Sequence, residues 1–382
     1  MKKKTKKLLP LLMLIVLIAT LVITFRTVFP ARASSQINTV FVIVMENQDW
    51  SHVKNSSSAP YINSLLPKAA HAEQYYSPPG ISPSLPNYLW LEAGTNFGIQ
   101  QDIDPSSYSW STSNHLVSLL DKASISWKAY EEGITGTTCP VQSNGLYAPK
   151  HDPFVYFNDV TNNPDPNYCT KHIVPYTQLS NDLTSNNVGR YNFITPNLCD
   201  DMHNACQGNK IAQGDTWLSQ NVPAILNSSA YKNNGALFIT WDEPESSNSP
   251  IGMIALSLLA KVGYQNSIHY THGSTLRTLE EIFGVTPLLG DAAQETDLSG
   301  LFMPSAFSTT GTTTPTNPNC VTPYSTPTSA TPSPSPISTS TPSPIASPSA
   351  TSAHTPTQTS SPCCPSSTPP VNQGHLHLTL PQ

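Results

Sequence analysis

Three apolar runs in this chain end alike. Thr39-Val40-Phe41-Val42-Ile43-Val44-Met45 is almost unbroken in apolar, largely β-branched character and leads straight into Glu46 and Asn47. Ala236-Leu237-Phe238-Ile239-Thr240-Trp241 leads into Asp242 and Glu243, and Arg190-Tyr191-Asn192-Phe193-Ile194-Thr195 leads through Pro196 and Asn197 to Asp200, Asp201 and His203. Runs of this length without polar alternation predict strands buried on both faces, as in parallel sheets covered by helices. Ligands of such sheets gather beyond the carboxyl ends of the strands. If the three strands are parallel neighbours, their ends converge on one pocket rich in carboxylates. That crowding is unfavourable unless a cation, protons or ordered hydrogen bonds offset it, and a metal is the simplest answer.

Between these runs the spacing becomes helical. Ala59 to Leu66 predicts a short helix, and Leu85 to Ala93 another, with Pro86 tolerated in the first turn and Gly94 as the stop. Further helices are expected from about His115 to Tyr130, from Gly214 to Tyr231, and from Leu276 to Phe283. The last is capped by Ser274 or Thr275 and ended by Gly284. Ile251 to Leu259 reads equally as a strand or a short buried helix, and Gly133 to Asn167 is loop-like. Strands alternating with helices predict an α/β fold with a mostly parallel sheet.

Composition then divides the chain. An apolar fraction of 38% and 37 prolines among 382 residues are at odds with one compact core, since soluble domains run at about 45–50% apolar. From about residue 305 the sequence collapses to Ser, Thr and Pro, as in Thr326-Pro327-Thr328-Ser329, which cannot bury enough apolar surface to offset chain entropy. Residues 305–382 are therefore expected to form a disordered, stalk-like tail. At the other end, Lys2, Lys3, Lys4, Lys6 and Lys7 precede an apolar run from Leu8 to Phe25 and then Ala31-Arg32-Ala33. This predicts a signal peptide over residues 1–33, with an uncleaved anchor as the alternative, and a secreted or cell-surface protein. One domain is left over residues 34–304, a size one core sustains. The net charge of −6 lacks the basic footprint of a nucleic-acid-polymer binder. Seven cysteines in an exported chain suggest disulfides, with Cys139 paired to Cys169 and Cys199 to Cys206.

Several polar residues invite chemistry, each with an ordinary reading beside it. Ser84 stands at the entry to a helix. Most such serines are caps, but a helix N-terminus also stabilises an alkoxide and binds phosphate. His151, in the loop-like segment, reads alone as a solvated histidine. Asp242 and Glu243 alone read as a turn after a strand, and His203 in a cysteine-bracketed loop suits a structural hydrogen bond as well as catalysis. His272 is fixed just before a helix start.

With Glu46-Asn47, Ser84-Leu85-Pro86-Asn87-Tyr88, Asp201-Met202-His203, Trp241-Asp242-Glu243 and His272 in this order, the chain resembles the phosphoesterase family. That family holds acid phosphatases and bacterial phospholipases C, within the alkaline-phosphatase-like superfamily. The likeness spans nearly all of residues 37–303. It implies a doubly wound α/β sandwich, mostly parallel with helices on both faces, and a metal-dependent phosphoester hydrolase site. Carried over residue by residue, Glu46, Asn47, Asp242 and Glu243 match metal-binding pairs. Ser84 matches the nucleophile and a fifth ligand, and His272 and His203 match catalytic positions. Asn87, Asp201 and His151 match phosphate- or substrate-binding positions. This oxygen-rich set favours one hard or oxygen-preferring cation (Ca, Mg, Mn or Fe) over zinc. The expected reaction is phosphomonoester hydrolysis through a phosphoserine, with His272 or His203 protonating the leaving oxygen. The alternatives are a phospholipase C or other phosphodiesterase, and a non-catalytic, stalk-borne surface-binding protein. A small phosphoester is the expected partner; membrane contact is expected only through the N-terminal segment, and no protein partner is implied.

Overall fold

The computed structural model describes residues 36–106, 109–246 and 248–307. The expected signal peptide or anchor, the stalk-like tail and its cysteines lie outside the described residues, apart from the tail's first three. Of those three, Ala306 is buried and its carbonyl accepts from Ile37 N. Among the described residues no helix is long and apolar enough to cross a membrane.

Eight strands form one sheet: β1 (Thr39–Met45), β2 (Ala70–Tyr76), β3 (Trp127–Glu131), β4 (Ile173–Pro175), β5 (Tyr191–Thr195), β6 (Gly235–Trp241), β7 (Met253–Ser257) and β8 (Tyr264–Thr271). Their spatial order is β4-β3-β5-β1-β6-β7-β2-β8. All neighbours are parallel except at β7, which runs antiparallel to both β6 and β2. The three apolar runs are the three central strands, β5-β1-β6. Every residue of β5 and β6 is buried, and successive strand residues point to opposite faces, so both faces are covered. The α/β expectation is the fold observed.

The main helices are α1 (Pro60–Leu65), α2 (Ser84–Ala93), α3 (Leu116–Lys122), α4 (Leu179–Ser185), α5 (Lys210–Asn227) and α6 (His272–Phe283). α6 packs on α2, and α1 on α5. Both expected disulfides, Cys139–Cys169 and Cys199–Cys206, are formed.

Two local expectations are corrected, and one left open is resolved. The helix expected over 115–130 stops at Lys122, and Trp127 to Glu131 form β3 against β5. The apolar spacing of Leu116, Leu119 and Leu120 is helical, but Trp127, Ala129 and Glu131 alternate with a period of two. The cap of α6 is Thr271, not Ser274 or Thr275: Thr271 accepts from the first turn while Ser274 Oγ accepts from Thr271 N, a reciprocal capping box. Within the segment 251–259, left open between strand and helix, Met253–Ser257 form the strand β7.

Candidate active site

Parallel pairing sets the site. In β1 and β6 Met45 stands opposite Trp241, so the residues that follow, Glu46 and Asp242, leave the sheet side by side. Asn47 turns the chain at φ 47°, a left-handed conformation that Asn tolerates better than most residues. Its backbone N–H then donates to Asp242 Oδ1 at 2.9 Å, and its Nδ2 donates to Glu46 Oε2 at 2.8 Å. The Asp201 loop after β5 closes on the same point, where Glu46 N donates to Asp201 O at 2.7 Å. That loop is pinned from behind, because a methyl group on Gly214 of α5 would collide with Met202.

Ser84 is the first residue of α2, with Pro83 in the capping position and no side-chain cap. The capping reading of Ser84 therefore does not hold. Its side chain is 1% exposed and Oγ donates to Glu46 Oε2 at 3.1 Å. One turn on, Tyr88 OH donates to Glu46 Oε1 at 2.8 Å, and Asn87 Nδ2 reaches Glu243 Oε2 at 3.3 Å. Residues three and four apart share a helix face, so Ser84, Asn87 and Tyr88 meet the two acidic pairs together.

His151 is not solvated. It is 2% exposed, stacks on Tyr88, and lies between Glu46 Oε1 (3.2 Å from Nε2) and Asp201 Oδ2 (3.4 Å from Nδ1). These separations would suit ion pairs, yet burial, assisted by Lys150, holds the imidazole pKa well below its usual range. Geometry agrees, since His151 Nε2 has no hydrogen-bond partner. His203 is half-buried at the open side. Its backbone N donates to Asp201 Oδ1 at 2.7 Å, Nδ1 meets Asn204 Oδ1 at 2.9 Å, and Nε2 meets Lys150 Nζ at 3.3 Å. The expectation of His272 as a proton donor is corrected. The residue is fully buried, with Nε2 donating to the Asp242 backbone carbonyl at 2.6 Å and Nδ1 accepting from Tyr75 OH at 3.1 Å. Burial lowers its pKa to about 4. It holds the Asp242 backbone in place and has no nitrogen left for substrate.

Four carboxyls thus share one small volume. Burial, then Asp242 and Asp201, push Glu46 well above the usual carboxylate range, and burial raises Asp201 likewise. Burial brings Asp242 to about 6, and burial together with Asp242 brings Glu243 to about 7. Asp242 Oδ2, Asp201 Oδ2 and Asn87 Oδ1 lack hydrogen-bond partners although buried. Unpartnered buried oxygens are unfavourable and rare, and a divalent cation would satisfy them. The residues present fit such an ion. Glu46, Asn47, Asp242, Glu243 and Ser84 would supply the oxygens. Glu46, His151 and His203 also present ligand atoms within 4.8 Å of one another.

The sequence reading missed Tyr88, Tyr75, Lys150 and the buried pair Glu131 and Asp152. Tyr88 carried a usable signal, four residues after Ser84 on one helix face. Lys150 and Asp152 carried none, because only the packing of the 149–156 turns against α2 brings them to the site, and Glu131 lies at the end of a strand the spacing did not reveal.

A phosphatidylinositol-3-phosphatase of Mycobacterium tuberculosis is 32% identical over 68% of this chain and 82% of its own. A phosphate-repressible acid phosphatase of Penicillium chrysogenum and an acid phosphatase of Aspergillus fumigatus are each 27% identical over 54% of this chain. The chain spans only about half the length of those two fungal relatives, 50% and 47%. Among solved structures, murine ectonucleotide pyrophosphatase/phosphodiesterase 5 overlays at a TM-score of 0.47, with 11% identity over 69% of this chain and 100% of that one. That overlap is too partial to bear on the site. The Phosphoesterase family model matches residues 53–286, more than half of the sequence, and the chain belongs to the Phosphoesterase family, a phosphoric ester hydrolase by that membership.

Proposed function

We propose that this protein is a secreted, metal-dependent phosphomonoesterase whose nucleophile is Ser84. The observation that carries the reading is the buried Ser84 hydroxyl at the N-terminus of α2. It makes no cap and points at Glu46, within a ring of carboxyls in which Asp242 Oδ2 and Asp201 Oδ2 lack partners. A divalent cation held by Glu46, Asn47, Asp242, Glu243 and Ser84 would supply charge for the phosphoryl oxygens and ease ionisation of the hydroxyl.

The chain's own residues do the rest. Glu46 accepts the Ser84 hydrogen bond and receives the proton as Oγ bonds to phosphorus and the P–O bond to the leaving alcohol breaks. Asn47 N–H and His272 fix Asp242, and the α2 terminus adds its positive dipole end to the developing charge. His203 gives a proton to the leaving oxygen and takes one back from the water that cleaves the phosphoserine, while Glu46 returns its proton to Ser84 Oγ as the Oγ–P bond breaks. Burial lowers the His203 pKa, so the protonated form needed in the first half belongs to acidic solution, in keeping with the names of the fungal relatives. Those names and the lipid phosphatase support a monoester over a phospholipase C substrate. The disulfides support an extracytoplasmic setting.

Ser84→Ala should lower kcat by about 10³-fold or more while cation binding persists, and quenched wild-type turnover should yield a phosphorylated Ser84 peptide by mass spectrometry. Undiminished turnover in Ser84→Ala removes the nucleophile from this account.

A further inference from the structure

We propose that Lys150 is a phosphate-binding residue of this site and that Asp102 is a built-in competitor for it. The proposal rests on the phosphomonoesterase reading above. Lys150 Nζ stands 3.3 Å from His203 Nε2 and 2.9 Å from Asp102 Oδ2. Its side chain is 21% exposed, and it lines an open cavity of about 360 Å³ with Asp102, Ser143 and Pro149. It is thus reached from solvent on one side and touches the Glu46–His151–His203 cluster on the other. Its charge acts on Glu46, Asp201 and Glu243.

Two arguments make this more than a surface ion pair. The first is charge balance. Four carboxylates and one divalent cation leave the site net negative before a phosphate dianion arrives, so a cation at the mouth is needed, and lysine serves phosphate as a point charge. The second is the placement of Asp102. Its Oδ1 accepts from Leu85 N at 3.0 Å, in the first turn of α2 beside Ser84, while Oδ2 accepts from Lys150. One carboxylate therefore spans a lysine and a helix-terminal N–H, the two donors that a phosphoryl group entering toward Ser84 would use. Asp102 takes the seat of substrate oxygens and is displaced, or shares the lysine, when substrate binds.

The test uses the full chain supplied with divalent cation, and reads inhibition by inorganic phosphate together with KM and kcat for p-nitrophenyl phosphate. Lys150→Ala should weaken phosphate inhibition and raise KM by about 10- to 100-fold, the worth of a hydrogen bond to a charged group. Melting temperature and bound metal should stay unchanged, and Lys150→Arg should restore most of the loss. Asp102→Asn keeps an acceptor for Leu85 N but removes the competing charge, so phosphate inhibition should tighten by about threefold. A merely structural Lys150–Asp102 pair would move both variants in the same direction, and that result overturns the proposal, as does phosphate inhibition of Lys150→Ala within twofold of wild type. If Lys150→Ala does not fold, the sign of the Asp102→Asn effect decides. Calorimetric binding of phosphate reads the same contrast without turnover, so failure of the Ser84 mechanism remains distinguishable from failure of this inference.

Discussion

The two ends of α2 handle buried acid in opposite ways. At its C-terminal end Glu92 accepts from His115 Nδ1 at 3.0 Å and from Val117 N at 2.8 Å, and His115 Nε2 meets Asp159 at 2.9 Å. Burial pulls the His115 pKa down, but Asp159 and Glu92 overcome it and hold the ring charged, at about 9. Phe157 stacks on its face. At the N-terminal end, Ser84, Asn87 and Tyr88 meet Glu46, Asp242 and Glu243, and among the described residues no lysine or arginine is inserted between them; Lys150 sits at the edge. One network carries its counter-charge within the chain, and the other leaves room for a charge from outside. That contrast separates a structural cluster from a site more sharply than burial does, since Glu92 and Glu46 are equally buried.

Substitutions should break the comparison in opposite directions. The largest effect is expected at the site, where Asp242→Asn should lower kcat/KM by about 10³-fold or more through loss of cation binding. The same change should raise the melting temperature of the chelated protein, because an uncompensated buried charge is removed. Activity and chelated-state calorimetry on one preparation check both halves. At the other end, His115→Gln should destabilise the fold by about 3 kcal/mol, as expected when one partner of a buried ion pair is lost. Chelator should not alter that difference in urea denaturation.

Acidity should separate the two ends by pH window. Asp242 and Glu243 have folded pKa values of about 6 and 7, above their unfolded values. They contribute stability fully present below about pH 4 and lost as pH rises through 6 to 7. Metal-free protein should therefore lose melting temperature across that interval, and divalent cation should reverse the loss. His115 is also raised, from 6.5 to about 9, so its contribution fades between those values and cation should leave it untouched. The smallest effect is expected at the cap of α6, where Thr271→Val should lower stability by about 1 kcal/mol. It should also reduce activity modestly, because His272 in the next position holds the Asp242 backbone.

How much of this was legible in the sequence depended on local signal. β1, β5 and β6 declared themselves as apolar runs, and the acids at their ends followed. β2 reads Ala-His-Ala-Glu-Gln-Tyr-Tyr and β8 is largely exposed at the sheet edge. Both lack the apolar run of a central strand, and neither was seen. β3 was absorbed into a neighbouring helix, since five residues of alternation are a weak signal beside a leucine-rich turn. His151 looked solvated because its segment is rich in Gly, Pro and Asn, and nothing nearby says that Tyr88 will stack on it.

By itself the sequence determined the three central strands of a covered sheet and where the polar residues stand relative to their ends, and it suggested the cysteine pairs that the structure forms. Those follow from periodicity, turn chemistry and short-range spacing, which act over a few residues. Only the tertiary structure decided that Glu46 and Asp242, far apart in the chain, leave adjacent parallel strands in register. It alone showed that His272 spends its nitrogens on Asp242 O and Tyr75, and that Lys150 and Asp102 face each other across the first turn of α2. Electrostatics and hydrogen bonding act through space, so what a titratable side chain does depends on neighbours that no local pattern names.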